Sequence, residues 1–255
     1  MMFKIGDDLR QDQLVIQIIK LMDQLLKNEN LNLNLKPYKI LSTNPIDGSI
    51  EFVPNLTLDK VLSEYHSILK FFQENNYDEH EELKVKSHVM DRYIKSCAGY
   101  CVITYILGVG DRHLDNLLIS LNGQFFHADF GYILGQDPKP FPPLMKLPIQ
   151  LVEGMGGLNH ENFKIFKNYC FTSFLILRKN SNLILNLFEL MIEANIPDIK
   201  IDKNRAILKV KEKFCLEMND EEAILHFQNL INDSVNAFLP MVIDRLHSLT
   251  QYWRA

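Results

Sequence analysis

From Gly108 to Leu118 the chain reads GVGDRHLDNLL, and from His127 to Gly131 it reads HADFG. Asp111, His113, Asn116 and Asp129 thereby place two carboxylates, an imidazole and an amide within nineteen positions. Such a set can take a proton from a hydroxyl and hold a divalent cation against a nucleotide triphosphate, which are the two needs of phosphoryl transfer. Magnesium takes oxygen ligands and keeps several waters, so one carboxylate and one amide oxygen are a sufficient protein share. Asn116 and Asp129 are of that kind. His113, with an ordinary imidazole pKa near ~6.5, suits accepting an alcohol proton at neutral pH. Asp111 could orient the imidazole or be the base itself, and the residues leave both assignments open. Asp-Arg-His or Asp-Phe-Gly alone is weak, because each also occurs in ordinary solvated turns. Their order and their separation by a hairpin carry the reading.

That hairpin runs from Leu117 to Ser120 and from Gln124 to Ala128 around Asn122-Gly123, a dipeptide that tolerates positive φ. It folds Asp129 back beside Asn116. A helical stretch, Leu83 to Leu107, delivers the chain to the catalytic loop at Gly108 and Gly110. Further upstream, Leu14, Ile18, Leu21 and Leu25 predict an amphipathic helix over Leu9–Lys27. Strands are expected over Tyr38–Leu41 and Ile50–Val53, turning at Asp47-Gly48, with Pro54 closing a small β-rich region. Leu58–Asn75, Glu161–Arg178, Asn182–Ala194, Arg205–Glu217 and Glu221–Phe238 read as helices. The terminal stretch from Pro240 sets Val242, Leu246, Leu249 and Trp253 on one helical face, with Arg245, His247 and Arg254 near the other. It fits a membrane interface and a core-closing helix equally well.

At 255 residues and 47% hydrophobic content, the chain can bury one large core or two lobes. No apolar run approaches the roughly 18 residues of a membrane span, and the amino terminus lacks a charged-then-apolar signal. A cytoplasmic protein is expected. A net charge of −5 gives no global attraction to nucleic acid or anionic membrane, so any membrane contact is local. Cys97, Cys101, Cys170 and Cys215 form no CxxC pair and no zinc spacing, and read as small buried side chains. His127, just before the Asp-Phe-Gly, is either a support for the site or a strand histidine satisfied by backbone.

With these motifs in place, the chain resembles the catalytic domain of the phosphatidylinositol 3-kinases, most closely class III, from Phe3 to Arg254. The resemblance implies an α+β, protein-kinase-like bilobal fold with a β-rich N-lobe (1–54), a mostly helical C-lobe (55–239) and a C-terminal amphipathic helix (240–255). Asp-Arg-His, in place of the His-Arg-Asp of ordinary protein kinases, fits this branch. FKIGDDLRQDQ, Phe3 to Gln13, is similar to the segment joining the nucleotide-binding lysine strand to the first N-lobe helix. On that match Lys4 contacts ATP phosphates, Asp12 and Tyr38 fall in the inner adenine pocket, and Glu51, Phe52 and Val53 form the hinge. ATP and Mg2+ or Mn2+ are the implied cofactors. Met1-Met2 stands where an interior strand would run, so the small lobe is expected to lack two or more strands and the phosphate-covering loop.

The activation loop, DFGYILGQDPKPFPPLMKLPIQLVEGMGG, resembles class III over nearly its whole length. Five prolines stiffen it, and only Lys139 and Lys146 are basic. Extra ring phosphates would call for clusters of Lys and Arg, so phosphatidylinositol itself is the expected substrate, at the 3-hydroxyl. In the resembled family the terminal helix with its similar QYWR ending, here with Tyr252, Trp253 and Arg254, is implicated in both membrane engagement and regulation. The resemblance further implies a protein-kinase-like scaffold subunit, a coiled-coil subunit, and peripheral work on endosomal or autophagic membranes. Two alternatives stand beside it: a catalytically silent interaction module, and a protein kinase of the same superfamily.

Overall fold

A computed structural model describes residues 1–140, 142–191, 196, 198–199 and 203–252, with the side chains of 203–204 and 237–252 not described. Two small antiparallel sheets and a larger helical body make the mixed α+β architecture expected from sequence. The first sheet has the order β1-β3-β2, from β1 (Met2–Ile5), β2 (Ile40–Asn44) and β3 (Asp47–Ile50). Lys4 stands opposite Gly48 in the β1–β3 register.

The β2–β3 turn lies at Pro45-Ile46, two residues before the predicted Asp47-Gly48. Local polar side chains decide this. Asn44 accepts from the Ile46 N–H at 2.8 Å and donates to Asp47 at 2.8 Å, closing the turn early. Gly48 sits within the strand instead, where a Cβ would lie 2.7 Å from the Leu41 carbonyl oxygen and from a Leu9 methyl.

Helix α1 (Arg10–Asn28) follows the predicted helix within a residue at each end. Its buried face is broader than the predicted stripe: Ile19, Met22 and Leu26 are fully enclosed, while Leu21 and Leu25 are half-buried. The helix packs both on β2 and on α6 (Glu161–Lys179), so two sides are covered. Each such large apolar side chain contributes roughly 1.5–3 kcal/mol on burial.

The second sheet has the order β4-β5-β6, from β4 (Leu56–Thr57), β5 (Leu117–Ile119) and β6 (Phe125–His127). Where one helix is predicted over 58–75, the structure has α2 (Leu58–Tyr65) and α3 (Ile68–Asn75). His66 at φ 64° breaks the run, and Ser67 restarts it by accepting from the Lys70 N–H at 3.1 Å. Helix α4 (Ser87–Leu107) begins four residues later than predicted, because Val85 pairs with Tyr77 in an isolated bridge and Lys84 takes φ 56°. Beyond it lie α5 (Ile149–Gly154), α6, α7 (Ser181–Met191), α8 (Lys203–Lys213) and α9 (Asp220–Tyr252). The sequence predicts two helices around Pro240; the structure has one, with Pro240 inside it. Proline removes one backbone hydrogen bond and bends a helix, a cost of about 3 kcal/mol that need not end it.

α4 and α6 form the centre of the helical body, with Tyr93, Tyr100, Phe166 and Phe174 fully enclosed. The four cysteines are all buried and free. Among the described residues no helix is long and apolar enough to cross a membrane.

Candidate active site

The catalytic loop is launched by the end of α4. Gly108 caps that helix at φ 57°, and a Cβ there would fall 2.6 Å from the Gly135 nitrogen. The close approach brings the start of the activation loop against the helix end: Leu134 N–H donates to the Leu107 carbonyl at 2.9 Å and Gly135 N–H to the Gly108 carbonyl at 2.8 Å. Downstream, β5 and β6 pair Leu117 with His127 and Ile119 with Phe125, the predicted hairpin. Asn116 and Asp129 thus stand at the same end of it, and the Ala128 N–H donates to the Asn116 carbonyl at 3.0 Å.

Both site carboxylates occupy left-handed backbone, Asp111 at φ 49° and Asp129 at φ 58°. Such a conformation costs an L-residue about 1–3 kcal/mol and persists where the surroundings hold it. Arg112 is the principal restraint. Its Nε donates to the Gly110 carbonyl at 2.8 Å, one terminal nitrogen to the Ala128 carbonyl at 2.8 Å, and the other to the Asp129 carbonyl. The guanidinium therefore ties the catalytic loop to the Asp-Phe-Gly at the carbonyls flanking each carboxylate, lying 5.6 Å over the Phe130 ring. Burial pulls its pKa down to about 10, partly offset by Asp129 and Asp111, so it stays charged at neutral pH.

Asn116 is buried and spends its amide nitrogen on the Asp111 carbonyl at 2.9 Å, which leaves its oxygen as the end that can meet a cation. Asp129 is exposed and accepts from the Gly131 N–H at 3.1 Å. No group of three or more His, Cys, Asp or Glu among the described residues could hold a metal by itself. The oxygens of Asn116 and Asp129 fit a magnesium ion whose remaining ligands are phosphates and water. His113 is exposed, with Nε2 3.9 Å from Asp111 and Nδ1 3.7 Å from Asp115, a second carboxylate that the motif reading passed over.

Among the residues expected at the nucleotide, Asp12 is recessed and accepts from the Phe130 N–H at 2.9 Å. Burial pushes its carboxyl up to about 6; the Phe130 bond works against this and the Asp129 charge adds to it. Tyr38 is buried edge-on to Phe126, and burial raises its hydroxyl pKa. Lys4 is exposed on β1 and donates to Asp7 at 2.7 Å; that bond raises its pKa, with Asp12 and Asp129 adding weaker attraction. Residues 51–55 run as an irregular connection between the two sheets, where strand was predicted as far as Val53. Within it Glu51 is tied back, its side chain accepting from the Lys39 N–H at 2.8 Å, while Phe52 is exposed and Val53 half-buried.

In the activation loop Lys139 is exposed, whereas Lys146 donates to Asp137. Trp253 and Arg254 lie outside the described residues, as does the side chain of Tyr252. His127 is stacked on Tyr100 at 5.2 Å, its Nδ1 has no partner among the described residues, and burial lowers its pKa so that it stays neutral.

Sequence reasoning missed three supports of the site. Arg112 was in view, inside the Asp-Arg-His, but only the fold shows what it grips. Asp137 accepts from the Asp111 N–H at 3.0 Å. Gln11, next to Asp12, donates to the Phe130 carbonyl at 2.9 Å and accepts from the Asp198 N–H at 2.9 Å, while Asp198 accepts from the Ile133 N–H at 2.6 Å. No spacing rule connects residues 11 and 198.

The sequence pattern of the Phosphatidylinositol 3- and 4-kinase family matches residues 1–201, and the chain belongs to that family. Its kinase-like bilobal fold is the one the resemblance implied. Over the whole chain it is 65% identical to Phosphatidylinositol 3-kinase VPS34 of Saccharomyces cerevisiae, covering 29% of that protein. It is 61% identical to Phosphatidylinositol 3-kinase pik3 of Schizosaccharomyces pombe, with 99% of this chain and 32% of the relative covered. A root isoform of Phosphatidylinositol 3-kinase from Glycine max is 54% identical, with 99% and 31% covered. The chain thus spans about a third of the length of these curated relatives.

Proposed function

We propose that this chain forms the catalytic core of a lipid kinase that transfers the γ-phosphate of ATP to the 3-hydroxyl of phosphatidylinositol. The observation that carries the reading is the junction at Arg112, which ties the loop of Asp111 to the backbone at Ala128 and Asp129, with the Asn116 amide nitrogen bonded to the Asp111 carbonyl. The named activity of relatives 54–65% identical supports it. Asn116 and Asp129 would hold magnesium, which when bound neutralises charge on the phosphates. Lys4, Asp12 and Tyr38 would line the nucleotide site, and the 51–53 backbone would meet the adenine. Asp111 or His113 would accept the hydroxyl proton, and the rest of the rate enhancement is positioning and fixed charge. With Lys146 engaged by Asp137, Lys139 is the exposed base of the 129–157 loop, which suits a headgroup whose only phosphate is the diester.

Peripheral action on endosomal or autophagic membranes, with a protein-kinase-like scaffold subunit and a coiled-coil subunit, follows from the resemblance alone. The test is a vesicle panel offering phosphatidylinositol, its 4-phosphate and its 4,5-bisphosphate with labelled ATP. Label should enter phosphatidylinositol and at least ~10-fold less the bisphosphate, since each unpaired phosphate costs a charge-assisted contact. Robust turnover of the bisphosphate overturns the substrate assignment; label on a protein and on no lipid favours a protein kinase.

A further inference from the structure

Asp137 is enclosed, with 4% of its side chain exposed, yet it meets three donors. One oxygen accepts from the Lys139 N–H at 2.9 Å; the other accepts from the Asp111 N–H at 3.0 Å and from the Lys146 ammonium. Burial alone would raise this carboxyl, and the lysine with the two backbone groups holds it below the ordinary range. Lys146 is itself largely enclosed, and its neighbours are pinned from the far side: Ser234 on α9 donates to the Met145 carbonyl at 3.1 Å and accepts from the Leu147 N–H at 3.0 Å. The segment between Asp137 and Lys146, which carries four prolines, therefore has its two ends joined at one carboxylate. That carboxylate also holds the nitrogen of Asp111, a residue at φ 49°.

We propose that Asp137 and Lys146 are positioning residues: Lys146 acts through Asp137, closing the segment between them into a ring and fixing the backbone of Asp111, and does not meet the lipid phosphate. The inference rests on the lipid kinase reading for its kinetic arm only. A buried carboxylate stripped of its counter-charge is unstable, so loss of Lys146 should turn Asp137 outward and release the Asp111 N–H. Loop and catalytic backbone would then move as one unit. A misplacement of about 1 Å at a reacting group costs roughly 100-fold in rate.

The experiment uses the full-length kinase with K146M, K146R, D137N and the double variant D137N/K146M. Hydrogen exchange of the Asp111 amide, read without lipid, should quicken in K146M and in D137N and return toward the parent rate in K146R. With phosphatidylinositol vesicles, kcat should fall about 10- to 100-fold in K146M with KM for lipid little changed, and the double variant should be no worse than the worse single. Unchanged exchange at Asp111 in both single variants overturns the proposal, and so does a rise in KM at constant kcat with additive losses, which would put Lys146 on the headgroup. Should K146M fail to fold, D137A, which leaves the Asp111 N–H no acceptor at this position, carries the exchange test. A parent enzyme that phosphorylates no lipid sinks the functional reading, while the exchange arm still decides the ring.

Discussion

The two halves of the site are held in different ways. On the side proposed for phosphoryl transfer, every candidate residue except His113 is tied through its own backbone: Asp111 by Asn116 and Asp137, Asp129 by Arg112, and Asn116 by the hairpin. On the side proposed for the nucleotide, β1 is exposed along its length, and Lys4 answers to a neighbouring aspartate with about half of each side chain in solvent. The difference fits the roles proposed for the two halves. Groups that stabilise charge at a reacting centre gain from being fixed beforehand, whereas a cation that meets phosphates can be ordered by them. It also separates the expected results of mutation: changes in the first half should cost kcat, and changes in the second should cost nucleotide affinity.

The largest effect is expected at Arg112. Arg112→Ala removes three hydrogen bonds to carbonyls around two left-handed residues, and a charged donor contributes about 1.5–3 kcal/mol per bond. Lipid phosphorylation should fall at least ~100-fold with a lowered melting temperature, and Arg112→Lys should not restore it, because one ammonium cannot span three carbonyls. Retained activity in the alanine variant would dissolve the contrast between the halves.

Next comes the link between α1 and the activation loop. Asp198→Ala leaves the Ile133 N–H without its acceptor and removes one of the two bonds made by the Gln11 amide nitrogen, a destabilisation of about 1–3 kcal/mol in denaturant titration. Asp198→Asn, which keeps an acceptor, should lose less. Equal losses would point to charge and not to hydrogen bonding.

Asp12 allows a pH test in the unliganded chain. Burial makes the folded state bind its proton more tightly than the unfolded state, whose carboxyl keeps the ordinary value of 3.8. Its contribution to stability is therefore greatest below 3.8 and falls as pH rises to about 6, then levels. Asp12→Asn should accordingly match the parent near pH 4 and exceed it above pH 6, by roughly 3 kcal/mol at most. A parent stability that climbs relative to the variant between those limits would reverse the assignment.

The smallest structural effect belongs to Lys4. Its exposed pair with Asp7 is worth about 0–1 kcal/mol, so Lys4→Met should leave the melting temperature nearly unchanged while raising KM for ATP. A kcat loss comparable to that of Arg112→Ala would put both halves under one regime.

The same contrast governs what could be read from sequence. The β5–β6 hairpin and the juxtaposition of Asn116 with Asp129 were legible, because turn chemistry and alternation are local signals. The α1 helix was legible for the same reason. The turn at Pro45-Ile46 was not, since the bonds of Asn44 override the stronger-looking Asp-Gly signal, and neither was the break at His66 inside a continuous apolar pattern. Least legible were the supports: Asp137 acts on a nitrogen 26 residues away and Gln11 meets Asp198 across 187. Buried polar groups find partners by topology, which no spacing rule encodes.

The most direct test of the account compares the parent kinase with Asp129→Ala in labelled phosphate transfer from ATP to phosphatidylinositol vesicles, with the phosphorylated ring position identified in the product. The parent should yield phosphatidylinositol 3-phosphate and the variant at least ~100-fold less, with its fold intact because the Arg112 contact is to the Asp129 backbone. Undiminished transfer by Asp129→Ala, or a product phosphorylated elsewhere on the ring, would contradict the proposed function.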